Sequence, residues 1–126
     1  MSDPLLIRIQ GLSKTYAEGE TRLPVLQQVD LEVGAGERVA LLGRSGSGKS
    51  TLLNLVAGID RPDRGTLWVE GRQLETLGER ERTLFRRRRI GFIYQFFNLI
   101  PTLTLVENVR LPLELNGWPE ARIRQR

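Results

Sequence analysis

Arg38-Val39-Ala40-Leu41-Leu42-Gly43-Arg44-Ser45-Gly46-Ser47-Gly48-Lys49-Ser50-Thr51 is the stretch whose reading decides the fold. Its opening residues, 38–42, are a short apolar run ending at a glycine, which predicts a strand buried on both faces, as in a parallel sheet. Residues 43–50 then match G-x-x-x-x-G-K-[ST] in full. Beyond them Leu52, Leu53, Val56 and Ala57 fall at helical spacing, and Gly58 is placed to cap that helix. The order strand, glycine-rich loop, amphipathic helix separates this motif from a glycine-rich turn that happens to include a lysine.

Each residue type in the loop has a chemical reason. Glycines at 43, 46 and 48 open backbone dihedrals closed to other residues, so successive N–H groups can turn inward toward an anion. Those donors stand at a helix N-terminus, which carries roughly half a positive charge and favours a polyphosphate. Lys49 adds a point charge for the β- and γ-phosphates, and Ser50 offers a hydroxyl to Mg²⁺. Arg44 is expected to turn its side chain to solvent. The candidate ligand is a nucleoside triphosphate.

Outward from the loop, residues 5–12 predict an opening strand, and residues 29–33 alternate Val29, Leu31 and Val33 with Asp30 and Glu32, the period of a half-exposed strand. Gly34-Ala35-Gly36 predicts a turn. Downstream, Arg61-Pro62-Asp63-Arg64-Gly65 has turn chemistry and residues 66–70 alternate again. A charged helix is expected from about Gly78, followed by an apolar strand over residues 90–94 and a loop over residues 95–101. Thr104 and Glu107 form a capping-box pattern that opens a helix with Leu105, Val106, Val109 and Leu113. Pro112 is expected to end or kink it near Leu111, and Pro119 fits the first turn of a last helix.

Composition narrows the function classes. The 126 residues have room for one domain with a modest core, and 40% hydrophobic with 27% charged residues is ordinary for a globular chain. No apolar run is long enough to cross a bilayer, so a membrane role is expected to come through a partner. Met1, Ser2, Asp3 and Pro4 lack the basic start of a signal peptide. With no cysteine and no histidine, thiolate and imidazole chemistry are excluded within this sequence. The net charge of +4 draws much of its excess from Arg86, Arg87, Arg88 and Arg89. With Glu79 and Glu81 at the start of the same helix, these arginines suit the helix dipole, the other reading being a phosphate or lipid-headgroup contact. No aromatic residues interleave with them, so no nucleic-acid partner is expected.

The loop motif alone does not choose among kinases, GTPases, helicases and transporters. Two flanking features do: Leu12-Ser13-Lys14-Thr15-Tyr16 upstream, and Ile90-Gly91-Phe92-Ile93-Tyr94-Gln95 followed by Phe96-Phe97-Asn98-Leu99-Ile100-Pro101 downstream. With these the sequence resembles the ATPases of ATP-binding cassette (ABC) transporters over essentially its whole length. The stretch Phe97 to Pro101, followed by Thr102-Leu103-Thr104-Leu105-Val106-Glu107-Asn108-Val109, is most similar to the lipoprotein-release and macrolide-export branch.

The resemblance implies an α/β fold: a P-loop NTPase (RecA-like) core with an antiparallel β subdomain and the start of a helical subdomain. It divides the chain into residues 1–94 (β subdomain and P-loop core) and 95–126 (Q-loop and helical start). It implies ATP and Mg²⁺ as cofactors and a nucleotide-binding set of Tyr16, Gly43, Arg44, Ser45, Gly46, Ser47, Gly48, Lys49, Ser50 and Thr51. Lys49 and Gln95 become the catalytic residues, with Ser50 and Gln95 toward the metal. Tyr16 then stacks on adenine, where without the resemblance it is an ordinary strand-end tyrosine; Gln95 would likewise be a polar residue closing a strand. Phe96 and Phe97 serve packing or contact with a membrane partner. Transmembrane permease subunits and a second nucleotide-binding subunit are the implied partners, at the cytoplasmic face of the inner membrane.

The family pattern also includes a Leu-Ser-Gly-Gly-Gln-like signature, a hydrophobic run ending in Asp-Glu and a switch histidine, none of which this sequence contains. It is therefore expected to be the front part of a domain about twice as long. In the family, further strands lie between the loop strand and the Q-loop strand, so residues 38–42 and 90–94 are expected to be left apart or mispaired. Export or lipid-linked extraction driven by ATP hydrolysis is the implied role; the alternative is a fragment that holds nucleotide without turnover.

Overall fold

The computed structural model describes residues 4–125; residues 1–3 and Arg126, including most of the segment read above against a signal peptide, lie outside it. The chain divides into two compact units, one ending at Thr83 and the other beginning at Leu84.

The first unit is built on a long hairpin. β1 (Leu5–Glu18) and β2 (Thr21–Gly34) pair antiparallel around a two-residue turn at Gly19 and Glu20, with Gly19 at φ +61°. β3 (Arg64–Val69) pairs with the other edge of β1, and the two-residue β4 (Arg72–Gln73) pairs with β3, giving the order β2-β1-β3-β4. Both strands of the hairpin run well beyond the expected residues 5–12 and 29–33. The reason is irregular register: shifts fall between Ile9 and Leu12, Leu12 and Lys14, and Lys14 and Thr15, and Gln28 sits at φ +48°. Such bulges break the period-two pattern by which a strand is read from sequence. At one of them the Gly11 N–H donates to Asp30 Oδ1 at 2.7 Å.

One sheet face is closed by α1 (Lys49–Val56), which brings Leu52 and Leu55 into a core with Ile9, Leu12, Leu26, Val33, Leu67 and Val69. Of the residues read at helical spacing, Leu52 and Ala57 are buried whereas Leu53 is half exposed, on the side of α1 turned from that core. Gly58, at φ +70°, does cap the helix: its N–H bonds Leu55 O and the Ile59 N–H bonds Asn54 O, both at 2.9 Å. A 3₁₀ turn (Leu74–Thr76) buries Leu74 and leads to α2 (Glu79–Arg89), which starts with Glu79 and Glu81 and ends with the four arginines. Arg82 is buried against an exposed partner, Glu79, which takes Nη2; Nε and Nη1 have no partner among the described residues.

The second unit carries the end of α2, α3 (Leu105–Leu115) and α4 (Glu120–Arg124). The capping box is complete: the Glu107 N–H donates to Thr104 Oγ1 at 3.2 Å and the Thr104 N–H to Glu107 Oε2 at 2.7 Å. Hydrogen bonding to the Thr104 N–H, and after it to the Thr104 hydroxyl, holds the exposed Glu107 carboxyl below its ordinary pKa. Of the two outcomes expected at Pro112, an end to the helix is not seen: α3 passes through Pro112 to Leu115. It is closed there by Asn116, whose Nδ2 and backbone N–H both donate to Pro112 O. Arg110 ties α3 to α4 by bonding Glu114 at 3.0 Å and Glu120 at 2.5 Å. Arg87 of the arginine run donates to Leu115 O at 3.3 Å, which makes that side chain part of the packing.

Residues 38–42, expected as a strand buried on both faces, and residues 90–94, expected as an apolar strand, form no strand, in line with the expectation that both lack their usual ladder neighbours. A strand exists only through a ladder partner, and among the described residues no segment pairs with either of them. Their apolar side chains consequently face outward, Leu42 at 88% and Ile93 at 99% exposure. The observed sheet is antiparallel throughout.

Candidate nucleotide-binding site

Residues 43–48 form a loop that feeds α1, with Gly48 as its N-cap at φ +96°. The loop is held against the hairpin at this residue: a Cβ on Gly48 would lie 3.0 Å from Leu26 Cδ2, Val25 Cγ1 and Val25 O. A Cβ on Gly43 would lie 2.5 Å from Ser47 Oγ, so the loop closes on itself there as well. The Ser47 N–H donates to Arg44 O at 3.1 Å, and the first helical bond runs from the Leu52 N–H to Gly48 O at 2.9 Å. The N–H groups of Lys49, Ser50 and Thr51 precede that bond and have no carbonyl within the helix to receive them.

Lys49 folds back over the loop. Its ammonium donates to Gly43 O at 2.5 Å, Arg44 O at 2.7 Å and Ser47 Oγ at 3.3 Å, using all three hydrogens. The ammonium thus sits on the loop that leads into α1, whose first three N–H groups have no helical partner among the described residues, and Ser50 adds an exposed hydroxyl. This donor set fits a polyphosphate. Among the described residues no group of three or more acidic, histidine or cysteine side chains could hold a metal. The exposed Ser50 hydroxyl is a hard oxygen that could serve as one ligand of a Mg²⁺ carried with the phosphates.

Tyr16 lies in the same unit. Lys14, two residues before it on β1, pairs with Leu26, the residue packed against Gly48. Two residues of strand are about 7 Å, which places Tyr16 one step along the hairpin from the loop. Its hydroxyl donates to Asp60 Oδ2 at 3.1 Å, and Lys14 Nζ stands over its ring, 5.4 Å from the centroid. Asp60 is partly buried, which pushes its carboxyl pKa up, but hydrogen bonds from the Arg61 N–H, Lys14 and Tyr16 outweigh this and hold it below its ordinary value. Lys14 and Asp60 were passed over in the sequence, because Asp60 lies 44 residues from Tyr16 and nothing local announces the pairing.

The structure thus gathers Tyr16 and residues 43–51 in one unit. Gln95 belongs to the other, exposed at a bend after residues 90–94. The side chains of Arg44 and Ser45 are exposed.

The first unit thus sets an antiparallel sheet against a helix whose leading loop reads G-x-x-x-x-G-K-[ST]. The solved structure of the ATP-binding cassette MJ0796, a dimer in a post-hydrolysis state bound to ADP and Pi, superposes with a TM-score of 0.88 at 38% identity, covering 94% of this chain and 53% of that one. The chain belongs to the ABC transporter family, whose model matches residues 26–126. An uncharacterized ABC transporter ATP-binding protein of Mycobacterium tuberculosis is 54% identical over 112 residues, 89% of this chain and 45% of the relative. The lipoprotein-releasing system ATP-binding protein LolD of Pseudomonas syringae is 48% identical over 126 residues, 98% of this chain and 56% of the relative. The chain therefore spans about half the length of the curated relatives it matches.

Proposed function

We propose that this chain binds Mg·ATP through residues 43–51 and Tyr16, as the nucleotide-holding part of an ABC ATPase that drives export or lipoprotein and lipid extraction. The observation that carries the reading is the donor geometry at the head of α1: three N–H groups before the first helical bond, and the Lys49 ammonium on the loop that leads into them. Lys49 would exchange loop carbonyls for phosphate oxygens, and Tyr16 would stack on adenine. In the complete site the domain would combine a P-loop NTPase core with a helical subdomain that begins near Gln95. Gln95 would orient the attacking water and reach toward the metal. Mg²⁺ bound with the nucleotide supplies charge neutralisation at the phosphates. Transmembrane permease subunits and a second nucleotide-binding subunit are the partners this role needs, at the cytoplasmic face of the membrane. Among the described residues no helix is long and apolar enough to cross a membrane, consistent with reaching it through such partners.

A second reading, nucleotide binding without turnover, is favoured by one observation: no hydrophobic run of this sequence ends in the Asp-Glu pair that would supply a catalytic carboxylate. Mg·ATP binding and phosphate release measured on the same preparation separate the two. Lys49→Ala is expected to abolish measurable Mg·ATP binding while leaving the circular dichroism spectrum in place; retained micromolar affinity would remove Lys49 from the site. Binding without Lys49-dependent phosphate release selects the second reading for the chain of 126 residues.

A further inference from the structure

Two features of the first unit meet at one carboxylate. The first is the end of α1. With Gly58 capping the helix, the Asp60 N–H also reaches Asn54 O, at 3.3 Å, so Asp60 is fastened to the helix whose other end is the phosphate loop. The second is the far end of Tyr16. The phenol donates to Asp60 Oδ2 at 3.1 Å, while Oδ1 accepts from Lys14 Nζ at 3.1 Å and from the Arg61 N–H at 2.7 Å. Lys14 is largely buried and also bonds Arg61 O at 2.7 Å. The ring of Tyr16 is therefore held at both ends, by β1 at its Cα and by Asp60 at its oxygen. The Lys14 ammonium stands over the ring, and Tyr16 as a whole is 38% exposed, so part of it is accessible to a base.

We propose that Asp60 is a positioning residue for the nucleotide base: it fixes the Tyr16 ring relative to the phosphate loop by tying its hydroxyl to the opposite end of α1. This rests on the reading of Tyr16 as the adenine stack. A ring free to turn about its two side-chain torsions must be immobilised when a base stacks on it, whereas a tethered ring is already in place. The tether is expected to be worth about two- to tenfold in affinity, felt only by ligands that carry a base.

The test measures dissociation constants for Mg·ATP and for Mg·tripolyphosphate, which fills the loop without a base. The full chain is compared with its Tyr16→Phe, Asp60→Ala and Tyr16→Ala variants and the Tyr16→Phe/Asp60→Ala double variant. Tyr16→Phe and Asp60→Ala are each expected to weaken ATP by about two- to tenfold, the double variant no more than the worse single, with tripolyphosphate unchanged throughout. If Tyr16→Ala weakens ATP while Tyr16→Phe and Asp60→Ala do not, the tether is wrong and the stack stands. If Tyr16→Ala leaves ATP affinity unchanged, both fall. Equal losses of ATP and tripolyphosphate in Tyr16→Phe and Asp60→Ala also overturn the proposal, since they would reflect the loop and not the base.

Discussion

A methyl group on Gly48 would press on Leu26 and on the side chain and carbonyl of Val25, on a backbone at φ +96° that side chains avoid. Both the clash and the dihedral act on the residue that joins the phosphate loop to the hairpin. Gly48→Ala is accordingly expected to cost about 1–3 kcal/mol of stability and to weaken triphosphate binding. Urea denaturation together with nucleotide titration checks both effects, and an unchanged midpoint would mean that the loop does not lean on β2. Lys49 and the glycines were legible in the sequence because a short motif encodes a local structure. Asp60 was not, because its role arises from a contact that only the folded hairpin creates. Arg82 was also invisible: nothing in a helix with six arginines marks the one whose guanidinium will be buried against Glu79.

At the scale of elements, α1 and α3 were readable for different reasons. α1 announces itself by its loop and by Gly58; α3 announces itself by Thr104 and Glu107, whose reciprocal hydrogen bonds the structure contains. None of the residues of α3 is buried, so its cap carries an unusual share of its stability. Thr104→Ala is expected to destabilise the helix by about 0.5–2 kcal/mol, visible as lost helical ellipticity. An unchanged spectrum would place the stability of α3 in Arg110 and its two glutamate partners instead. Pro112 does not end the helix, because a proline withholds one N–H and crowds one carbonyl while the Asn116 closure lies beyond it. The unpaired segments were legible only in part: that they would lack neighbours was expected, that they would form no strand at all was not. Residues 38–42 and 90–94 have strand composition, but composition supplies no partner, and a ladder needs two sides.

For the whole molecule the consequence is exposed apolar surface. Leu42 in the first unit and Ile93 and Phe97 in the second are each nearly nine-tenths or more exposed, and Tyr94 and Phe96 add to the stretch that holds the latter two. Unpaired strand-like segments with bare apolar side chains favour association between copies. The chain alone is expected to be poorly soluble or only marginally folded, with no cooperative transition well above about 50 °C. A sharp calorimetric transition above that temperature at low concentration would show that these surfaces are covered. The account stands on the head of α1 as a triphosphate cradle, and a crystal structure with Mg·AMP-PNP tests it most directly. The phosphates are predicted to lie against the N–H groups of residues 46–51, with Lys49 Nζ moved from the Gly43 and Arg44 carbonyls onto phosphate oxygen. Nucleotide bound elsewhere, with Lys49 still on its own loop, would contradict it.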